Sequence, residues 1–116
     1  MSDCIFCKIV DKEIPADIVF EDDQVVAFKD RNPIAPVHIL IISKKHILSV
    51  REATKEDTLL MGRLIMTAKK ISDDLKISKK GYKLLIRVGK GGGQEVDHIH
   101  LHLLGGARLS ENIHPI

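Results

Sequence analysis

Apolar and polar positions along the chain fall into short runs separated by turn-forming residues, with one longer stretch of helical period. Residues 18–20 and 25–29 predict two strands, joined by a polar turn of Glu21, Asp22, Asp23 and Gln24. Beyond Asn32 and two prolines, residues 37–43 are nearly all apolar and predict a buried strand. Thr54, followed three residues later by Asp57, resembles a helix N-cap with an acidic first turn. From there to about Leu75, the apolar residues Leu60, Leu64, Ala68, Ile71 and Leu75 recur at spacings of four and three and share one face. Arg63, Lys70 and Asp74 fall on the other side. Gly81 closes the helical region and residues 82–88 predict a strand. A glycine-rich turn then leads to a last strand at 96–104, ended by Gly105 and Gly106. Five strands with one long helix predict an α+β fold built on a mostly antiparallel sheet. Met61 and Ile65 widen the helical stripe beyond what one sheet face needs, which points to a dimer contact.

At 116 residues this pattern fits a single domain spanning 1–116, with no repeat, low-complexity tract or linker. Eighteen basic and 16 acidic residues nearly cancel to a net charge of +2, which argues against a nucleic-acid-binding face. Three Phe and one Tyr leave no aromatic platform for stacking bases. The longest purely apolar run, residues 39–42, is far below a membrane span, and the first ten residues lack the character of a secretory signal. The expectation is a cytoplasmic protein with neither membrane nor nucleic-acid partners.

Candidate chemistry concentrates in the last strand. His98, His100 and His102 alternate with Ile99, Leu101 and Leu103. A strand sends alternate side chains to opposite faces, so the imidazoles line one face, about 7 Å apart, while the aliphatics enter the core. Two readings follow. Histidines at i and i+2 on a strand can grip one zinc ion. Alternatively, a neutral imidazole is an able nucleophile near pH 7 and can form a covalent phospho-histidine. The preceding loop, Gly89 to Gln94, offers backbone N–H groups that could cradle phosphate oxygens, although it matches neither phosphate-loop nor dinucleotide motifs. Cys4 and Cys7 are too few and too close for a disulfide framework. In a reducing compartment the pair suggests metal or redox chemistry, and two thiolates supply half a tetrahedral zinc shell.

The run at 98–104 resembles the His-φ-His-φ-His-φ-φ signature of the histidine triad family. Ile5-Phe6-Cys7, Glu13-Ile14-Pro15, Pro36-Val37-His38, Gly92-Gly93-Gln94-Glu95-Val96 and Gly105-Gly106 resemble its Hint branch, so the similarity covers nearly the whole chain. The resemblance implies a fold of the same type, with a homodimer joining two sheets. It also implies a hydrolase of purine nucleoside 5′-phosphoramidates, adenosine or guanosine, that needs no metal for catalysis. His100 would be the nucleophile, with His102 and His38 as neighbouring site histidines. Asp30 would hold the ribose hydroxyls, and Gly93, Gln94 and Glu95 the phosphate and leaving group. His46 and His98 match the positions that zinc-containing members use beside Cys4 and Cys7. A dinucleoside polyphosphate hydrolase or nucleotidylyl transferase would use the same nucleophile, and a non-enzymatic, zinc-stabilised nucleotide-binding dimer is a further alternative. Two residues depart from the branch: Arg87 stands where it usually has Asn, and Asp97 where an aromatic precedes the triad. If the flanking strands pair symmetrically across residues 89–95, Arg87 lies opposite Asp97 and a surface ion pair is the expectation; in a different register Arg87 would instead reach the phosphate and favour substrates with extra phosphates.

Overall fold

The computed structural model describes residues 3–116. Five strands form one sheet in the order β1-β2-β3-β5-β4: β1 (Ile18–Glu21), β2 (Val25–Lys29), β3 (Val37–Ser43), β4 (Lys83–Ile86) and β5 (His100–Gly105). Every neighbouring pair is antiparallel. The first hairpin closes as expected, because the Asp22 carboxylate accepts from the N–H groups of Gln24 (2.8 Å) and Val25 (2.9 Å) and so supplies the turn's own partners.

Helix α2 (Thr58–Asp74) lies across one sheet face. It is introduced by a short 3-10 turn in which Asp57 Oδ2 accepts from the Thr54 N–H at 2.9 Å, the reciprocal half of a capping box. Its Leu60, Leu64, Ala68 and Ile71 pack with Val25, Ala27, Ile39, Ile41, Ile99, Leu101 and Leu103 in the larger core. Leu75 does not join them. The helix ends at Asp74, Lys76 turns the chain into left-handed conformation (φ 60°), and Leu75 remains 46% exposed. Gly81 therefore follows the helix end at a distance instead of making it.

The opposite sheet face carries a second, smaller core of Val26, Phe28, Leu40 and Ile42, covered by Phe6 and Ile9 of a short helix, α1 (Ile5–Val10). Sequence patterning misses α1. Six residues give too few turns for a periodic signal, and its N-cap is a thiol, with Cys4 Sγ accepting from the Cys7 N–H at 3.4 Å. The last two strands are shorter than expected. Residues 96–99 bend before the ladder begins, with the His98 N–H bonded to the Val96 carbonyl and the Ile99 N–H to that of Ile47. Gly106 ends β5 at φ 84°, where a Cβ would come within 2.9 Å of Pro36 Cβ. No helix is long and apolar enough to cross a membrane among the described residues.

Leu64 is fully buried at the centre of the α2 stripe. Leu64→Ala should cost about 2–5 kcal/mol by chemical denaturation, whereas Leu75→Ala should cost under about 1 kcal/mol. Equal losses would contradict the placement of the helix end.

Candidate active site

Strand parity delivers the imidazoles to one place. On β5, Leu101 and Leu103 enter the α2 core, so His100 and His102 emerge on the α1 side. On β3, His38 shares the face of Leu40 and Ile42, which pair with His102 and His100 respectively. His38 and His102 thus meet diagonally across two strands, with Nε2 of one 2.9 Å from Nδ1 of the other. All three line a cleft of about 450 Å³ whose other walls include Asp30, Arg87, Gly93 and Glu95. An apolar hollow of about 270 Å³, walled by Ile5, Ile9, Ile14 and Phe28, adjoins it and shares Asp30.

The backbone sets the protonation of each ring. His100 Nδ1 lies 2.7 Å from the His98 carbonyl, which can only accept; Nδ1 therefore carries the proton and Nε2 keeps the lone pair. The Ile34 N–H donates to His38 Nδ1 at 3.2 Å, so the neutral ring carries its proton on Nε2. That proton faces Nδ1 of His102 and, at 3.4 Å, Oδ2 of Asp30. His102 then accepts at Nδ1 and presents a protonated Nε2. Oδ1 of Asp30 accepts from the Asn32 N–H at 2.8 Å. Asp30, His38 and His102 lie close enough together to suggest a metal set, but His38 offers its nitrogen as a donor there, so the three cannot supply three lone pairs.

Burial is the main reason these rings stay neutral. It pushes His102 down to about 4, helped by His100, Arg87 and His38 and opposed by Asp30. His38 is lowered chiefly by burial, against the raising effect of Asp30. His100 is lowered by the same cause, against its bond to the His98 carbonyl. Phe6 of α1 backs the histidine row, its ring edge-on to His100 at 5.1 Å and to His98 at 5.9 Å.

The glycine loop keeps several of its backbone N–H groups within the loop. It winds into a 3-10 turn (Lys90–Gly92), and its N–H groups at Gly92, Gly93 and Gln94 bond back to the carbonyls of Gly89 and Lys90. Gln94 staples the loop: Oε1 accepts from the Gly89 N–H at 2.8 Å, and Nε2 donates to Leu48 and Val96 carbonyls. Its side chain is not among those lining the histidine cleft.

Arg87 does not pair with Asp97. The ladder sets Ile86 opposite Leu101, and extending that register sets Arg87 opposite His100. Bent residues 96–99 take up length that symmetric pairing ignores. Arg87 Nη1 instead lies 3.3 Å from Nε2 of His102, while exposed Asp97 lines a separate hollow beside Ser49 and Arg51.

A second cluster sits behind the row. The ligand atoms of Cys4, Cys7, His46 and His98 all lie within 4.8 Å of one another. His98 Nε2 donates to the Ser43 carbonyl at 2.7 Å, leaving the Nδ1 lone pair toward the thiols. Nδ1 of His98 lies 3.1 Å from Nδ1 of His46 and 3.3 Å from Cys4 Sγ, and Cys7 Sγ is 3.1 Å from His46 Nδ1. A zinc tetrahedron with ordinary bond lengths has N–N edges of about 3.4 Å and S–N edges of about 3.6 Å, so this donor set fits one.

Two contributors escape the sequence reading, Phe6 behind His100 and the Ile34 N–H on His38, and neither leaves a periodic signal. Arg87 lies at the cleft, as the alternative register allows, and not in a surface pair.

An antiparallel sheet presenting alternate histidines to a cleft defines a histidine triad protein. The HIT domain family model matches residues 11–109, and the chain belongs to that family. It is 49% identical over 105 residues to the purine nucleoside phosphoramidase of Escherichia coli K12, covering 90% of this chain and 88% of that one. It is 48% identical to protein HitA of Neisseria gonorrhoeae, covering 90% and 97%. The crystal structure of a HIT family hydrolase from Legionella pneumophila Philadelphia 1 superposes with a TM-score of 0.92 at 48% identity, covering 94% and 97%.

The depressed histidines give stability a defined pH dependence. Below about pH 6.5 an unfolded imidazole takes up a proton that buried His102 refuses until about pH 4. Stability should therefore be complete above about pH 6.5 and fall through that window, measured by denaturation at stepped pH. A His102→Asn variant should show a shallower fall; an unchanged slope would contradict the assignment.

Proposed function

We propose that this protein hydrolyses purine nucleoside 5′-phosphoramidates to the nucleoside monophosphate and an amine, through a nucleotidyl group held on His100. The observation that carries this reading is the His100 tautomer, whose Nδ1 is engaged by the His98 carbonyl so that the lone pair resides on Nε2 at the cleft. The activity named for the E. coli relative supports the substrate class. In this reading the purine occupies the apolar hollow of Ile5, Ile9, Ile14 and Phe28, and Asp30, at the junction of hollow and cleft, holds the ribose hydroxyls. Gly93 and Glu95 flank the leaving group, and Gln94 contributes by holding their loop.

The Nε2 lone pair of His100 attacks phosphorus and the P–N bond to the amine breaks, its electron pair staying on the amine nitrogen. His102 gives its Nε2 proton to that nitrogen. That proton sits on Nε2 because Nδ1 accepts from His38, whose own proton position is fixed by the Ile34 N–H; the negative charge its departure leaves on the His102 ring is balanced by the Arg87 guanidinium beside it and by the cationic nucleotidyl-imidazolium of His100. Water then attacks phosphorus, the bond to His100 breaks with its electrons returning to Nε2, and the water's proton restores His102.

Zinc is the proposed occupant of the Cys4, Cys7, His46 and His98 set, where it would tie α1 to the entry of β5. A homodimer is proposed through the outer face of α2, where Leu59, Ile65 and Met66 stay exposed although Met61 turns in towards the core. A reducing compartment, the cytoplasm, suits a site that needs both thiols reduced.

Two experiments test this. Acid-quenched reactions with an adenosine phosphoramidate should trap an adenylyl group on His100, and His100→Ala should abolish turnover while keeping nucleotide binding. Near-native turnover by that variant would overturn the mechanism. Protein purified without chelators should contain about one zinc per chain, and stripping it should lower the unfolding temperature. Metal-free protein of unchanged stability would count against the zinc site.

A further inference from the structure

The chain of groups across the cleft runs Asp30, His38, His102, Arg87. Its first member adjoins the apolar hollow, so Arg87 stands at the end away from the nucleoside. There it makes a contact that has no acceptor. The His102 tautomer set by His38 and the Ile34 N–H places a proton on Nε2, and a guanidinium only donates, yet the two nitrogens lie 3.3 Å apart. No carboxylate lies within ion-pair reach of Arg87 among the described residues, although the side chain is half-buried. Its position is also built in. Gly93 sits at φ 83°, and a Cβ there would come within 3.3 Å of Arg87 Cδ, so the glycine turn keeps room for the arginine stem to lie along the loop. Two convergent donors, one of them a full positive charge, suit an oxyanion on the departing fragment.

We propose that Arg87 is a specificity-determining residue that selects leaving groups carrying an oxyanion next to the atom that departs. This rests on the phosphoramidate mechanism above and adds the chemistry of the amine. In an α-amino acid the nitrogen and the nearer carboxylate oxygen are about 3 Å apart by standard bond lengths. That span matches the 3.3 Å between the His102 and Arg87 nitrogens. His102 then protonates the departing nitrogen while Arg87 holds the carboxylate. A phosphate one bond beyond the departing oxygen of a phosphoanhydride offers the same oxyanion. There His100 attacks the nucleoside-bearing phosphorus, the P–O bond breaks, and the leaving phosphate keeps the electron pair as its anion.

The test compares kcat/KM for two adenosine 5′-phosphoramidates that differ in one group, the N-linked glycine and the N-linked glycinamide. A phosphoanhydride, P1,P3-di(adenosine-5′) triphosphate, forms a third arm. The native enzyme should favour an anionic substrate over the glycinamide, and Arg87→Gln should collapse that ratio by about tenfold or more, as loss of a charge-assisted hydrogen bond does. Arg87→Lys should restore part of it, since the charge returns without the planar fork. A ratio lost for glycine alone identifies a carboxylate as the oxyanion, and one lost for the triphosphate alone identifies a phosphate. Ratios preserved in Arg87→Gln for both anionic substrates would overturn the proposal while leaving the nucleophile intact. Native enzyme that turns over none of the three, with no adduct on His100, would remove the underlying mechanism and this inference with it.

Discussion

A carbonyl oxygen has only lone pairs to offer, and that of His98 lies 2.7 Å from Nδ1 of His100. The proposed chemistry of the cleft depends on this contact, because it decides which nitrogen of the central ring keeps its lone pair. The bond is local, between residues two apart, so it requires the strand entrance to be held in one conformation. The side chain of His98 does part of that holding. Its ring is fully buried, its Nε2 donates to Ser43, and its Nδ1 faces the thiols of Cys4 and Cys7. One residue thereby joins the sulfur cluster to the reactive ring: its imidazole belongs to the first and its carbonyl orients the second.

Helix α1 completes the linkage. It carries Cys7, is capped by Cys4, and lays Phe6 over the sheet face against the histidine row, edge-on to Phe28, His98 and His100. A helix of six residues gains little from its own hydrogen bonds. Its stability comes from Phe6 and Ile9 in the smaller core. The apolar hollow shares Ile5 and Ile9 with this helix, so the hollow and the His100 ring are seated against the same small element.

Much of this was legible in the sequence, and the reasons are specific. The α2 stripe and the alternation of His98, His100 and His102 are periodic signals, and periodicity reports faces directly. The sequence left the position of Arg87 open between the surface and the cleft. Counting symmetrically across the glycine loop put it opposite Asp97, but a 3-10 turn on one side and a bend at 96–99 on the other shift the ladder to Ile86 and Leu101. Such shifts depend on where backbone N–H groups find partners, which spacing alone does not encode. The inward bonds of the Gly92, Gly93 and Gln94 N–H groups escaped for the same reason. Cys4 and His98 are 94 positions apart, and only the family resemblance, not pattern, brought them together before the fold did.

The proton positions are the most direct check on the whole account. Nitrogen-15 NMR of the histidine-labelled protein near pH 7.5 distinguishes a protonated ring nitrogen from a bare one at each imidazole. The expected result is His100 protonated at Nδ1 and bare at Nε2, with His38 and His102 both protonated at Nε2. A spectrum with His100 protonated at Nε2 would contradict the account at its base, because the nitrogen facing the cleft would then have no electron pair to give.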